Sequence, residues 1–283
     1  ILSTALTFGY MGAIFIVGLI YWAMRGTDKS LTFTFPLFVG FLVLAVNLLL
    51  MDNDIGAIEG FLSGLVVFLA MLAVYEKKHR LWNRSRPRVS YLRERVFQGY
   101  LLAVIMFLPS FIFYTVAENA FGAWGSSEDV FLIILDAKWI WLTPFLVGLS
   151  AAISEEIMYR KFGAFAFKRI WNNQLFIALV TSFIWAVGHL GYNVHPWYLR
   201  LLELTFFVGP FMYWAYKKYG IVAAMVAHYL YDCFLVSLTL MSFDRGTYVY
   251  TLLLLLVPLL IFVVPGKNVP TYRPTALTED NSL

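Results

Sequence analysis

The length of its apolar runs constrains this chain more than any other feature. Runs of roughly the length needed to cross a 30 Å hydrocarbon layer as a helix recur at 6–24, 35–51, 55–75, 96–117, 140–163, 175–190, 199–216, 221–241 and 248–264. With 61% hydrophobic and 13% charged residues, the chain lacks the polar surface that water demands of a globular protein. Lipid offers no hydrogen bonds to a backbone, so each crossing segment must satisfy its own groups as a helix or join a closed barrel. Continuous runs, rather than short alternating strands, select helices. The expected fold is therefore all-α, a polytopic membrane helix bundle of about nine transmembrane helices.

Charge distribution orders these spans. Residues 76–95 carry Lys77, Lys78, Arg80, Arg84, Arg86, Arg88, Arg93 and Arg95, and read as a cytosolic connector held against an anionic leaflet rather than as a nucleic-acid patch. Threaded through nine spans, 17 of the 21 Lys and Arg fall on one side; Lys138, Arg200 and Arg245 fall on the other, and Arg160 lies inside a helix. This places the N-terminus outside and the C-terminus in the cytosol. Asp52, Asp54, Glu128, Asp129 and Asp136 then lie in outer loops. Trp139, Trp141, Trp197 and Tyr198 lie at outer ends, where amphipathic rings favour the interface. Membrane lipids are the expected partners, with no nucleic acid. The organisation expected is 1–138 as N-terminal spans with the basic connector, 139–242 as a functional core, and 243–283 as a final span with a polar tail. The single cysteine, Cys233, can form no internal disulfide and reads as a small buried hydrophobe. A start at Ile1, without methionine, is expected of a processed or trimmed product.

Ionisable groups inside a spanning helix each cost about 2.5–3.5 kcal/mol on insertion scales, so a cluster of them calls for a reason. Three spans attract attention: Ser154-Glu155-Glu156-Ile157-Met158-Tyr159-Arg160, Trp185-Ala186-Val187-Gly188-His189 and His228-Tyr229-Leu230-Tyr231-Asp232. On an α-helix Glu156 and Arg160 share a face, which predicts an ion pair, while Glu155 points roughly 100° away and is left to face something else. A carboxylate screened from bulk water and set near histidines has what a general base needs. The fifth and sixth spans turn near Trp171-Asn172-Asn173, and Glu155 and His189 each lie 17 residues from Asn172, so the hairpin brings them to one depth. His228 and Asp232 share a helix face, as a pair able to hold a developing oxyanion or a metal. The bland alternative for each histidine is a hydrogen bond between helices. Ser182 lacks a third orienting group for a serine mechanism, and His195-Pro196 reads as a turn.

In order and spacing the three motifs resemble those of the CAAX prenyl-protease and bacteriocin-processing family of intramembrane proteases, including the type II CAAX endopeptidase: Glu-Glu-x-x-x-Arg, aromatic-x-x-x-His, and His-x-x-x-Asn or Asp. The resemblance covers Ser154 to Asp232. It implies hydrolysis of a peptide bond in a membrane-associated peptide or protein, with a CAAX-type or leader sequence as substrate. It further implies that Glu155 and His189 activate water, that His228 and residue 232 support the oxyanion, and that no cofactor takes part. The second motif has Trp185 where Phe is commoner, and the third ends in Asp232 where Asn is common. An ionised aspartate repels an oxyanion, so Asp232 is protonated, orients His228 or binds metal. Two further readings stay open. One is a zinc protease with Glu155, His189, His228 and Asp232 as ligands. The other is a transporter, immunity or scaffold protein that uses the same groups as an ion relay.

Overall fold

A computed structural model describes residues 2–24, 30–50, 54–74, 89–125, 137–191 and 194–265. Most of the basic connector, the polar tail from 266 onward, Asp52, Glu128, Asp129 and Asp136 lie outside the described residues. Helix occupies the greater part of every apolar run. In chain order come α1 (Leu2–Met24), α2 (Ser30–Leu50), α3 (Asp54–Val74) and α4 (Val89–Phe121). Next, α5 (Thr143–Glu155) continues through a π-helical stretch, Glu156–Phe162, into α6 (Gly163–Phe167). After α7 (Gln174–Gly188), α8 (Tyr198–Glu203) runs through a second π stretch, Leu204–Val208, into α9 (Gly209–Tyr219). The last elements are α10 (Ile221–Phe243), α11 (Arg245–Tyr248) and a 3-10 helix, Val249–Phe262.

Among the described residues five helical segments are long and apolar enough to cross a membrane: Ala57–Val74, Val89–Phe121, Ile140–Phe167, Ile221–Phe243 and Arg245–Phe262. Three shorter apolar helices, Leu6–Ile20, Thr34–Leu50 and Gln174–Gly188, stand beside them. The helical run 198–219, which carries Arg200, Glu203, Lys217 and Lys218, is not in this set. The outward surface is apolar, with Phe111 70% and Leu260 63% exposed. Such a surface suits lipid, and the chain is a multi-pass, all-α membrane protein.

The final span is wound more tightly than expected. At about 2.0 Å per residue, fourteen 3-10 residues reach about 28 Å, roughly a bilayer core, where an α-helix of that length would stop near 21 Å. Tyr229 and Tyr100 donate hydroxyls to the carbonyls of Leu254 and Leu255 in this segment. Arg93, at the start of α4, donates to the carbonyls of Ile261, Phe262 and Val264, so α4 begins on the side where the last span ends. His195, expected in a turn, pairs in a two-residue ribbon between Trp124–Gly125 and Val194–His195.

One apolar core runs through the bundle and includes Ile14, Val43, Val67, Leu102, Ile157, Trp185 and Ala227. The first three helices contribute directly to it: α2 packs on α5, α3 on the first π stretch and α1 on α7. Central to the assembly, α10 packs on α4, α5 and α9. Its approach to α5 depends on Gly148, where a Cβ would stand 2.8 Å from the Tyr229 carbonyl oxygen and 3.1 Å from its ring.

Replacing Gly148 therefore pits two effects against each other. Alanine favours the helix by about 1 kcal/mol over glycine, while overpacking costs about 1–3 kcal/mol. Gly148→Ala should lower thermal stability in detergent only slightly, and Gly148→Leu, with a longer side chain against the same backbone oxygen, should lower it severely. Unchanged melting of the leucine variant would show that the two helices do not meet there.

Candidate active site

The site is built where three chain segments meet. In the hairpin of α5–α6 and α7, Asn173 caps α7 by accepting the Phe176 amide at 3.0 Å, and His189 follows the last turn of α7. Equal distance from the turn does bring the two groups together: His189 Nε2 lies 3.9 Å from Glu155 Oε1. His228, on α10, places its Nε2 3.7 Å from Glu155 Oε2 and 3.3 Å from Asp232 Oδ2. These contacts surround a cavity of about 230 Å³ whose wall includes Glu155, Trp185, His189, Arg200, His228 and Asp232.

Glu156 lies behind this wall and is fully buried, as is Arg160. Its Oε1 stands 3.6 Å from Arg160 Nη1, the expected pair, although at a length beyond a hydrogen bond. The same oxygen is 2.8 Å from His228 Nδ1. Arg160 thus shares Glu156 with His228 rather than claiming it alone. The remaining Arg160 charge is met by an aromatic face, since its Cζ sits 4.2 Å from the centre of the Trp185 ring. The segment holding Glu156 and Arg160 is π-helical rather than α-helical. Its bonds close five residues apart, so residues four apart still lie close on one face. Tyr10 of α1 donates to the Met158 carbonyl at 2.8 Å and stacks on Tyr159, which braces this stretch from outside.

Trp185 has a larger part than its place in a motif indicates. Its indole N–H donates to Glu155 Oε2, so what Glu155 faces, besides the histidines, is Trp185. Its carbonyl accepts from His189 Nδ1 at 2.8 Å, which leaves Nε2 to face the cavity. One side chain therefore touches Glu155, Arg160 and His189.

A further polar cluster went unread in the sequence. Arg200, counted there as an outer-loop charge, lies on the cavity wall, with its Nη1 2.7 Å from Glu203 Oε2 and donating to the Tyr114 hydroxyl at 3.2 Å. Tyr114 donates to the same Glu203 oxygen at 2.7 Å, and Glu203 is fully buried. A glutamate three residues after an arginine, inside an apolar run, was the available signal that the run 199–216 also carries buried ionisable groups. Among the described residues no group of three His, Cys, Asp or Glu is arranged to hold a metal ion.

Comparison with known proteins bears on the same segment. Residues 137–234 match the family described as Type II CAAX prenyl endopeptidase Rce1-like, a stretch that holds Glu155, Glu156, Arg160, His189, His228 and Asp232. The resemblance carried by the three motifs is thereby borne out over that stretch. The chain is also 32% identical over 100 residues to the sporulation-killing factor biosynthesis protein SkfC of Bacillus subtilis (strain 168). That alignment takes in 34% of this chain and 19% of the relative, so the chain matches about a fifth of that protein's length. No solved structure matches this chain.

Burial of Glu156 and Arg160 predicts a non-additive mutant cycle. Glu156→Leu and Arg160→Leu should each cost about 3–5 kcal/mol through the charge left behind, and the double variant should cost less than either. Thermal unfolding of the three variants in detergent checks this, and additive losses would show that the two charges are not coupled.

Proposed function

We propose, with the match over residues 137–234 as premise, that the chain is an intramembrane endopeptidase that hydrolyses a membrane-associated peptide with a glutamate-activated water. The observation that carries this reading is the meeting of Glu155, His189, His228 and Asp232 on one cavity inside an apolar bundle. Apolar walls alone do not require such groups, and each is expensive to bury.

In the proposed step Glu155 is the general base. It lines the cavity with about a fifth of its side chain exposed, and both histidine Nε2 atoms lie within 4 Å. Glu155 takes a proton from water as the oxygen bonds to the peptide carbonyl carbon, and it returns that proton to the departing amine when the C–N bond breaks. His189, with Nδ1 held by the Trp185 carbonyl, offers Nε2 to orient the water. His228 stands between Glu156 and Asp232, with a carboxylate facing each ring nitrogen. With a proton on both nitrogens, Nδ1–H is held by Glu156, while Nε2–H faces Asp232 at rest and turns to the oxyanion as it forms. Asp232 then orients the His228 ring through Nε2. The step uses no metal ion.

Substrates of this reading are peptides held at the bilayer, with a CAAX-type C-terminus or a leader sequence. The proposed topology has the N-terminus outside and the C-terminus, the basic connector and Lys217-Lys218 in the cytosol. The contacts of Arg93 with the end of the last span support it, since they put two cytosolic ends together.

Cleavage by purified variants tests the mechanism. Glu155→Gln should keep helical content and melting temperature while losing about 10² to 10⁴ in rate, as loss of a general base does. Glu156→Gln should lose stability, because Arg160 is left without its counter-ion, and also rate, because His228 loses the partner of Nδ1. EDTA should leave the native enzyme unaffected. A folded, fully active Glu155→Gln variant would refute the base assignment, and loss with EDTA reversed by zinc would replace it with a metal mechanism. Proton flux in liposomes without proteolysis would replace the protease reading.

A further inference from the structure

We infer that Trp185 is a positioning residue for the base: its indole N–H holds Glu155 Oε2 and thereby assigns Oε1, the oxygen that faces His189, as the atom that takes the proton from water. This role deepens the protease reading and rests on it. The two oxygens of Glu155 have different surroundings. Oε2 accepts from Trp185 and lies 3.7 Å from His228 Nε2. Oε1 accepts no hydrogen bond among the described residues, and His189 Nε2 stands off at 3.9 Å, too far for a direct bond and a separation that one water can bridge. The ring that carries the N–H is boxed in. Trp185 is 4% exposed, Arg160 Cζ stands 4.2 Å from its ring centre, and the imidazoles of His189 and His228 meet it edge to face with centroids 4.9 and 5.9 Å away. A donor fixed before the reaction needs no reorganisation as charge moves. It also stops the carboxylate from turning about its last torsion, which is soft and would otherwise exchange the two oxygens.

His189 is ordered by the same residue through a different atom, since the Trp185 carbonyl holds its Nδ1. Trp185 thus sets Oε1 and His189 Nε2 against each other, with a side-chain donor at one and a main-chain acceptor at the other. In the step so arranged, Oε1 takes one proton as the water oxygen bonds to the carbonyl carbon, and the same oxygen gives that proton to the amine nitrogen as the C–N bond breaks. The main-chain bond survives any substitution at 185. A variant that keeps an aromatic ring and loses the N–H therefore isolates the contact with Glu155.

Three replacements in the full chain, assayed in detergent with quenched-fluorescence peptides that carry a CAAX-type C-terminus or a leader sequence, test this. Trp185→Phe keeps a ring over Arg160. Trp185→benzothienylalanine, made by codon suppression, keeps the bicyclic shape with sulfur in place of the N–H, and Trp185→fluorotryptophan keeps both shape and N–H. The first two should lose about tenfold or more in kcat with KM within about twofold, as removal of a hydrogen bond to a charged group implies, and should melt close to the native temperature. The fluorotryptophan variant should keep the native rate. A packing role predicts a different split, with only the phenylalanine variant impaired. Native turnover by the benzothienylalanine variant, with Glu155→Gln inactive, would overturn the role of the N–H and leave the protease reading standing. Where the native chain cuts no peptide, the indole N–H signals of its nine tryptophans decide, read by NMR on isotope-labelled protein. The signal lost in Trp185→Phe should shift in Glu155→Ala, and a signal that keeps its position would show that the indole does not hold Glu155 and overturn the inference.

Discussion

Glu156 holds His228 Nδ1 at 2.8 Å in a bundle whose outer surface is apolar, and that hydrogen bond joins the two helices that carry most of the polar groups. Within such surroundings a carboxylate cannot turn to solvent, so its partners must be supplied by the fold. Arg160 supplies charge from four residues along, and His228 supplies a donor from α10. The bond requires α5 and α10 to lie close, which Gly148 permits. It also requires Glu156 and Arg160 to point the same way from a π-helical stretch. Trp185 then adds α7, covering Arg160 with its ring while its N–H holds Glu155 and its carbonyl holds His189. Glu155, Glu156, Arg160, His189 and His228 thereby keep positions that none would keep alone.

Much of this was legible because lipid limits the options. Helix positions followed from the apolar runs, although only five of the nine runs are helices long and apolar enough to span among the described residues, and the meeting of Glu155 with His189 followed from equal distances to Asn172. The pairing of Glu156 with Arg160 followed from helix spacing. What failed to show in the sequence has identifiable causes. A slip from α to π hydrogen bonding leaves no compositional mark, so neither π stretch was expected. Trp185 read as an aromatic position in a motif because its N–H and carbonyl act through geometry rather than residue type. Arg200 was misplaced because counting charges by loop assigns every cation near a span end to water, although Glu203 three residues on was the sign that both belong inside. The sharing of Glu156 between Arg160 and His228 needed a third helix, which no spacing within α5 can reveal.

Charge balance inside the bundle links the two polar clusters. Glu155, Glu156, Glu203 and Asp232 bring four carboxylates, against the guanidiniums of Arg160 and Arg200. Burial makes uncompensated charge costly, so each of these groups needs a partner that the fold supplies. Arg200 and Glu203 neutralise each other, which confines the imbalance to the group around Glu155. His228 faces a carboxylate through each ring nitrogen, and Glu155 faces both His228 and His189. A carboxylate and two imidazoles set within 4 Å of one another beside a cavity have the residue types that acid–base hydrolysis uses.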